Sequence, residues 1–283
     1  MRQIIRKNVD GLERQAIFYQ HNPGNSRQPL LIVLHGKGGT ADWVLEETQL
    51  EMFASEQGIA LLAPDALTLE PDKPPKFLSN PQFWNSDPRN EFAGRLPDDV
   101  RFLKILIDDF RQYFLIDPKR IYVTGFSNGA AMTFRLAIEA GQVLAGIAPI
   151  AGNCLVDPVL LHHPVPTLWL MGEKDPLMPF EGGLVTSPWG KQYTRPPMVS
   201  EAQRWASALK FRLEEKHDFS YPDREGMRYV REGQVYFEFC KLKNLGHHWP
   251  GGLGRLNPKL FGPAAPINGN ELIWNFFKHH QLG

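Results

Sequence analysis

The sequence predicts an α/β fold with a mostly parallel central sheet of about eight strands and helices on both faces. Three observations carry that expectation. Short, unbroken apolar runs alternate with helical periodicity between residues 29 and 209. Towards both ends of the chain the rhythm changes to alternating apolar and polar residues, which suits antiparallel strands at sheet edges. One glycine-flanked turn, Gly125-Phe126-Ser127-Asn128-Gly129, joins a strand pattern directly to a helix pattern.

In chain order, residues 1–20 alternate and read as an edge. Residues 30–34 (Leu-Leu-Ile-Val-Leu) and 59–62 (Ile-Ala-Leu-Leu) are continuous and apolar, as strands buried on both faces are. The segment 98–114 puts Val100, Leu103, Ile107 and Phe110 on one helical face, and Pro97 with the Asp98-Asp99 pair marks its start. Further buried strands are expected at 121–124, 144–150 and 167–171. Residues 213–240 alternate again, as in Val235-Tyr236-Phe237-Glu238-Phe239, and read as the opposite edge. The segment 270–280 closes the chain as a helix with Leu272, Ile273, Phe276 and Phe277 on one side.

Two stretches, 65–97 and 176–197, fit neither period and follow strand-like runs. Loops at the carboxyl ends of strands surround the ligand crevice in open α/β sheets, so both are expected to wall a site. Neither is long or helical enough for a separate lid domain, and residues 1–283 read as a single α/β domain.

Apolar residues make up 42% of the chain and charged ones 22%, which excludes disordered and fibrous classes. Lysine plus arginine equals aspartate plus glutamate at 31 each. That balance removes the electrostatic footprint of a nucleic-acid or anionic-membrane partner, and the substrate is not expected to be recognised by bulk charge. The segment Met1-Arg2-Gln3-Ile4-Ile5-Arg6-Lys7-Asn8 has positive charge but no apolar stretch of export-signal length, so a cytoplasmic location is expected. Cys154 and Cys240, the two cysteines, are accordingly expected as free thiols. Adjacent histidine pairs at 162–163, 247–248 and 279–280 point apart in regular structure, and no metal or other cofactor is expected.

The turn at Ser127 has the form of a nucleophile elbow, in which a serine on a sharp strand-to-helix turn projects its hydroxyl at a helix N-terminus. A hydroxyl is a poor nucleophile at neutral pH and needs a base, which needs a carboxylate to orient it. Past the strand at 167–171, Gly172-Glu173-Lys174-Asp175-Pro176 offers two carboxylates. Asp175 is favoured because Pro176 restricts its backbone, with Glu173 as the alternative. His217 lies in a charged run and His279 and His280 end a helix, which leaves His247 and His248 ahead of the rigid turn Trp249-Pro250-Gly251-Gly252. The loop His35-Gly36-Lys37-Gly38-Gly39 lacks the spacing of a phosphate cradle and suits an oxyanion hole. Its donors are expected to be the N–H of Asn128 with that of Lys37 or Gly38. Trp84, Trp189 and Trp249 are candidate walls of a substrate pocket.

Taken together, the motifs His35-Gly36-Lys37-Gly38-Gly39, Asp98-Asp99-Val100-Arg101-Phe102, Gly125-Phe126-Ser127-Asn128-Gly129-Ala130, Asp175-Pro176 and Gly246-His247-His248-Trp249-Pro250-Gly251-Gly252 resemble one group. It is the polyhydroxybutyrate depolymerase and feruloyl esterase-like group of the α/β-hydrolase superfamily, and the resemblance spans about residues 28–252. It implies the α/β-hydrolase fold, a catalytic histidine directly after Gly246 (His247), and hydrolysis of carboxylic esters through an acyl-serine without a cofactor. The implied partner is a small-molecule or oligomeric ester. Two other readings share this core: a serine peptidase of the prolyl oligopeptidase type, and a non-catalytic binding protein that keeps the α/β-hydrolase fold.

Overall fold

The computed structural model describes residues 1–21 and 26–283. Its first elements are β1 (Arg2–Val9) and β2 (Leu12–Tyr19), an antiparallel hairpin closed by Asp10 and Gly11, both at positive φ as a tight two-residue turn requires. The next four are β3 (Gln28–Leu34), α1 (Ala41–Thr48), α2 (Leu50–Gln57) and β4 (Ala60–Pro64). Then come α3 (Asp99–Tyr113), β5 (Ile116–Phe126), α4 (Asn128–Ala140), β6 (Gly146–Ile150) and β7 (Thr167–Gly172). A small hairpin of β8 (Gly183–Thr186) and β9 (Gln192–Arg195) precedes α5 (Met198–Ala208). The chain ends through β10 (His217–Ser220), β11 (Arg224–Arg231), β12 (Gln234–Leu242), α6 (Pro258–Phe261) and α7 (Gly269–Phe277).

Among the described residues the central sheet has ten strands, in the order β1-β2-β4-β3-β5-β6-β7-β12-β11-β10. Neighbours from β4 to β12 run parallel, and antiparallel strands flank them on both sides. The count exceeds the expected eight or so because the alternating stretch after residue 213 resolves into three strands. One of them corrects the edge assignment. β12, which carries Val235 to Phe239, pairs in parallel with β7 and only its other side meets antiparallel β11.

Parallel strands covered on both faces explain the unbroken apolar runs. Along β3, Leu30, Ile32 and Leu34 pack into one core layer with Phe102, Leu106 and Phe134 of α3 and α4. The intervening Leu31 and Val33 join the opposite layer with Val44, Leu45 and Phe277 of α1 and α7. Helix α3 starts as expected: Asp98 caps it by accepting the Arg101 N–H at 3.0 Å, while its apolar stripe faces the sheet. Among the described residues no helix is long and apolar enough to cross a membrane. Cys154 and Cys240 are buried and unpaired with each other.

Candidate active site

Four loops leave the carboxyl ends of β3, β5, β7 and β12, the rim where open parallel sheets hold their ligands. Each contributes to one cluster. Between β5 and α4, Ser127 has φ 56° and ψ −113°, a conformation that costs a non-glycine residue about 1–3 kcal/mol and persists only where its surroundings hold it. Here the Ser127 N–H donates to the Ile150 carbonyl at 2.8 Å, and the Ser127 carbonyl accepts from the Ala131 N–H at 3.1 Å. Gly129 completes the elbow, since a Cβ there would lie 2.3 Å from the Leu34 carbonyl oxygen.

His247 lies beside Ser127, its Nε2 2.9 Å from the serine Oγ. The other ring nitrogen, Nδ1, is 2.7 Å from Asp175 Oδ2. The second carboxylate oxygen, Oδ1, accepts the N–H groups of Leu177 and Met178 at 2.8 and 2.9 Å. An ionised carboxylate accepts only, so Nδ1 carries a proton and Nε2 is left as the acceptor for the serine hydroxyl. Asp175 and His247 are both buried, 2% and 3% exposed. The two loops can approach this closely because Gly172, ending β7, has no side chain: a Cβ there would lie 2.4 Å from the Gly246 carbonyl oxygen.

The alternatives considered from sequence stand elsewhere. Glu173 is exposed and accepts the Asn244 N–H at 2.9 Å. His248 turns its Nε2 to the Gly262 carbonyl at 2.9 Å. His217 and His279 are exposed. His280, one of the histidines ending the last helix, is buried against the Val235 carbonyl, and burial lowers its pKa.

Sequence left Lys37 and Gly38 open as oxyanion donors. In the structure the Gly38 N–H is taken by the Gln82 carbonyl at 2.7 Å, and that of Gly39 by the Gly36 carbonyl at 3.0 Å. The N–H groups of Lys37 and Asn128 have no acceptor among the described residues. His35 stiffens this loop from below: Nδ1 donates to the Gly36 carbonyl at 2.8 Å and Nε2 accepts the Ala66 N–H at 3.0 Å.

Both long loops do wall the site. From the first, the backbone of Trp84 is bracketed by the Asn128 amide, whose Oδ1 accepts the Trp84 N–H at 2.7 Å. From the second, the Trp189 indole packs tilted against the Phe77 ring, with centres 5.1 Å apart, and donates to the Phe77 carbonyl at 2.8 Å, joining the two loops. Two cavities meet at Ser127 and His247. One, about 130 Å³, is walled by Trp43, Phe77, Leu256 and Phe261; the other, about 170 Å³, by Asn153, Met178, Tyr193 and Arg195. Trp189 lines both.

The other two tryptophans correct the pocket expectation. Trp84 is 1% exposed, and its indole donates to the His35 carbonyl at 2.9 Å, so it supports the loop of residues 35–39 and borders only a neighbouring cavity. Trp249 is packed in the core, donates to Asn270 at 2.9 Å and lines no wall of either cavity. A rigid Trp-Pro-Gly-Gly turn gives no sign of whether its indole faces the crevice or the core. Sequence reasoning passed over the side chains of Lys37 and Arg195, which line the second cavity, and Asn128's amide. The only local signal was that each sits in or beside a segment already tied to the site.

A sheet with this order, an elbow serine and facing loops define an α/β-hydrolase. The fold recurs in the solved acetyl xylan esterase from Aspergillus awamori, with a TM-score of 0.65 and 10% identity over 98% of this chain and 99% of that one. Residues 16–195 match the phospholipase/carboxylesterase family, and the chain belongs to it. Among curated proteins it is 30% identical over 254 residues to "Putative esterase NocK" of Nocardia uniformis subsp. tsuyamanensis, covering 83% of this chain and 69% of that protein. It is 27% identical over 232 residues to feruloyl esterase B of Piromyces equi, covering 79% of this chain and 40% of that protein. To the poly(3-hydroxybutyrate) depolymerase of Ralstonia pickettii it is 31% identical over 156 residues, covering 51% of this chain and 30% of that protein. The chain thus spans less than half the length of the latter two. These relatives agree with the resemblance read from the motifs, and the chain is a carboxylic ester hydrolase of the α/β-hydrolase superfamily.

Proposed function

We propose that the chain cleaves small-molecule or oligomeric carboxylic esters through an acyl-serine intermediate, with Ser127 as nucleophile, His247 as general base and acid, and Asp175 as its orienting carboxylate. The observation that carries the reading is the unbroken hydrogen-bonded path from Ser127 Oγ through both nitrogens of His247 to Asp175, at 2.9 and 2.7 Å. As Oγ attacks the ester carbonyl, its proton passes to Nε2, and the imidazolium is stabilised by the buried carboxylate. Charge develops on the carbonyl oxygen, where the free N–H groups of Lys37 and Asn128 are available to receive it. Collapse of the tetrahedral species breaks the carbon–oxygen bond to the alcohol, which leaves with the proton from Nε2. Water then enters, gives a proton to Nε2, and releases the acid as Oγ regains its own.

Hydrolysis of short-chain aryl esters, compared with a peptide anilide, tests the reading. Ester turnover is expected in the wild type, with kcat lowered about 10⁶-fold in Ser127→Ala. Asp175→Asn, which leaves the imidazole in the wrong tautomer, is expected to lower kcat about 10⁴-fold. Peptide turnover with no ester turnover, or ester turnover undiminished by Ser127→Ala, would overturn it.

A further inference from the structure

The two cavities that meet at Ser127 differ in electrical character. The first is walled mainly by aromatic and aliphatic side chains and shares Lys37 with the second. The second also borders Asn128, but its wall adds Arg195 to Lys37, two cations, and among the described residues it holds no carboxylate. That is unexpected in a chain of net charge zero, where cations generally find partners. Among the described residues the acid nearest to Lys37 in influence, Glu91, is bound by Lys191 at 2.8 Å.

Neither cation is fully compensated. The Lys37 ammonium lies over the rings of Trp189 and Phe83, 4.3 and 4.9 Å from their centres, contacts that attract a cation without neutralising it. Burial and the charge of Lys191 depress its pKa, the expected response of an ammonium drawn from water without a counter-ion. The Arg195 guanidinium lies over the Tyr193 ring, 4.5 Å from its centre, and Nη1 donates to Asn153 Oδ1 at 3.3 Å. Its Nε is buried and has no acceptor among the described residues. Withdrawing charge from water in this way is unfavourable unless an anion arrives, and a held guanidinium fork matches a carboxylate.

We infer that the cavity bounded by Lys37 and Arg195 takes up a carboxylate, so that the preferred substrate is an ester whose acyl or alcohol part carries a carboxylate group. The inference rests on Ser127 as the nucleophile. It names the substrate class of the same site: the ester group lies over Ser127, and the carboxylate of the same molecule meets Arg195, with Lys37 adding attraction from the rim.

Two matched pairs of esters test this. One varies the acyl side, mono-4-nitrophenyl adipate against its terminal carboxamide; the other varies the alcohol side, 3-carboxyphenyl butyrate against 3-carbamoylphenyl butyrate. The wild type is expected to favour the carboxylate member of one pair by about tenfold or more in kcat/KM, and that pair identifies the side held by the cations. Arg195→Gln is expected to bring the ratio close to one, and Arg195→Lys to keep part of it. Because the readout is a ratio, general damage to the enzyme cancels. Binding of free adipate to Ser127→Ala protein, followed by titration calorimetry and lost on adding Arg195→Gln, gives a readout free of the chemical step. Ratios near one for both pairs in the wild type, or a preference that survives Arg195→Gln combined with Lys37→Met, would overturn the inference and leave the esterase reading intact. Failure of that reading looks different, with neutral and charged esters cleaved no faster than by Ser127→Ala.

Discussion

His35 has both ring nitrogens occupied, one donating to Gly36 and one accepting from Ala66, and protonation would remove the acceptor. Burial accordingly holds its pKa below the ordinary 6.5, against the opposing pull of the Gly36 carbonyl and Asp65. The unfolded chain takes up a proton that the folded chain resists, so His35 contributes stability above pH 6.5 that is lost as pH falls towards its folded pKa. The expected slope for one such group approaches about 1.4 kcal/mol per pH unit. Thermal unfolding at a series of pH values checks it: His35→Asn should flatten the acid limb, leaving the share of His280, and an unchanged limb would contradict the account. At Gly129, alanine would drive a Cβ into the Leu34 carbonyl, and a loss of about 1–3 kcal/mol in urea unfolding is expected. At this scale the Gly-x-Ser-x-Gly elbow was readable because its geometry is local. The choice between Lys37 and Gly38 was not, because the Gln82 carbonyl that occupies Gly38 arrives from a loop more than forty residues away.

Elements were legible wherever burial was two-sided. Continuous apolar runs announced β3, β4, β6 and β7, and the stripe of α3 was fixed by its period and its Asp98 cap. The stretch 176–197 hid the β8–β9 hairpin, because its strands are short and largely exposed and impose no apolar alternation. Its position is set instead by contacts with the other long loop: Trp189 on Phe77, and Lys191 on Glu91 at 2.8 Å. The tryptophans therefore divide by element. Trp189→Ala is expected to alter kcat/KM for aryl esters with little change in unfolding free energy, since this side chain joins two loops over the cavities. Trp249→Ala, emptying a site in the core, is expected to lower stability by about 3–5 kcal/mol. Urea titration beside steady-state kinetics separates the two, and the opposite pattern would contradict this assignment.

Across the whole molecule, one buried ion pair joins the β1–β2 hairpin of the sheet to the wall of the site. Arg14 on β2 meets Asp99 at the start of α3 at 2.6 Å, and both are essentially unexposed. Asp99 Oδ2 also accepts the Asn85 N–H at 2.7 Å, while Arg14 reaches the Asp65 carbonyl at 3.2 Å, so the pair holds both sides of the 65–97 loop. Removing one partner leaves the other buried without its counter-charge, and Arg14→Met is expected to cost about 3–5 kcal/mol in urea unfolding. Sequence marked Asp99 only as a helix start; its partner lies 85 residues away, a distance that no periodicity spans. The same separation governs the site, where Ser127 and His247 stand 120 residues apart and meet through the order of the sheet. The most direct test is to label the native protein with a fluorophosphonate and map the adduct by peptide mass spectrometry. A single stoichiometric adduct on Ser127, lost in unfolded protein and strongly slowed in His247→Ala, is the result expected. Labelling elsewhere, or no labelling of Ser127 in the folded wild type, would contradict the account.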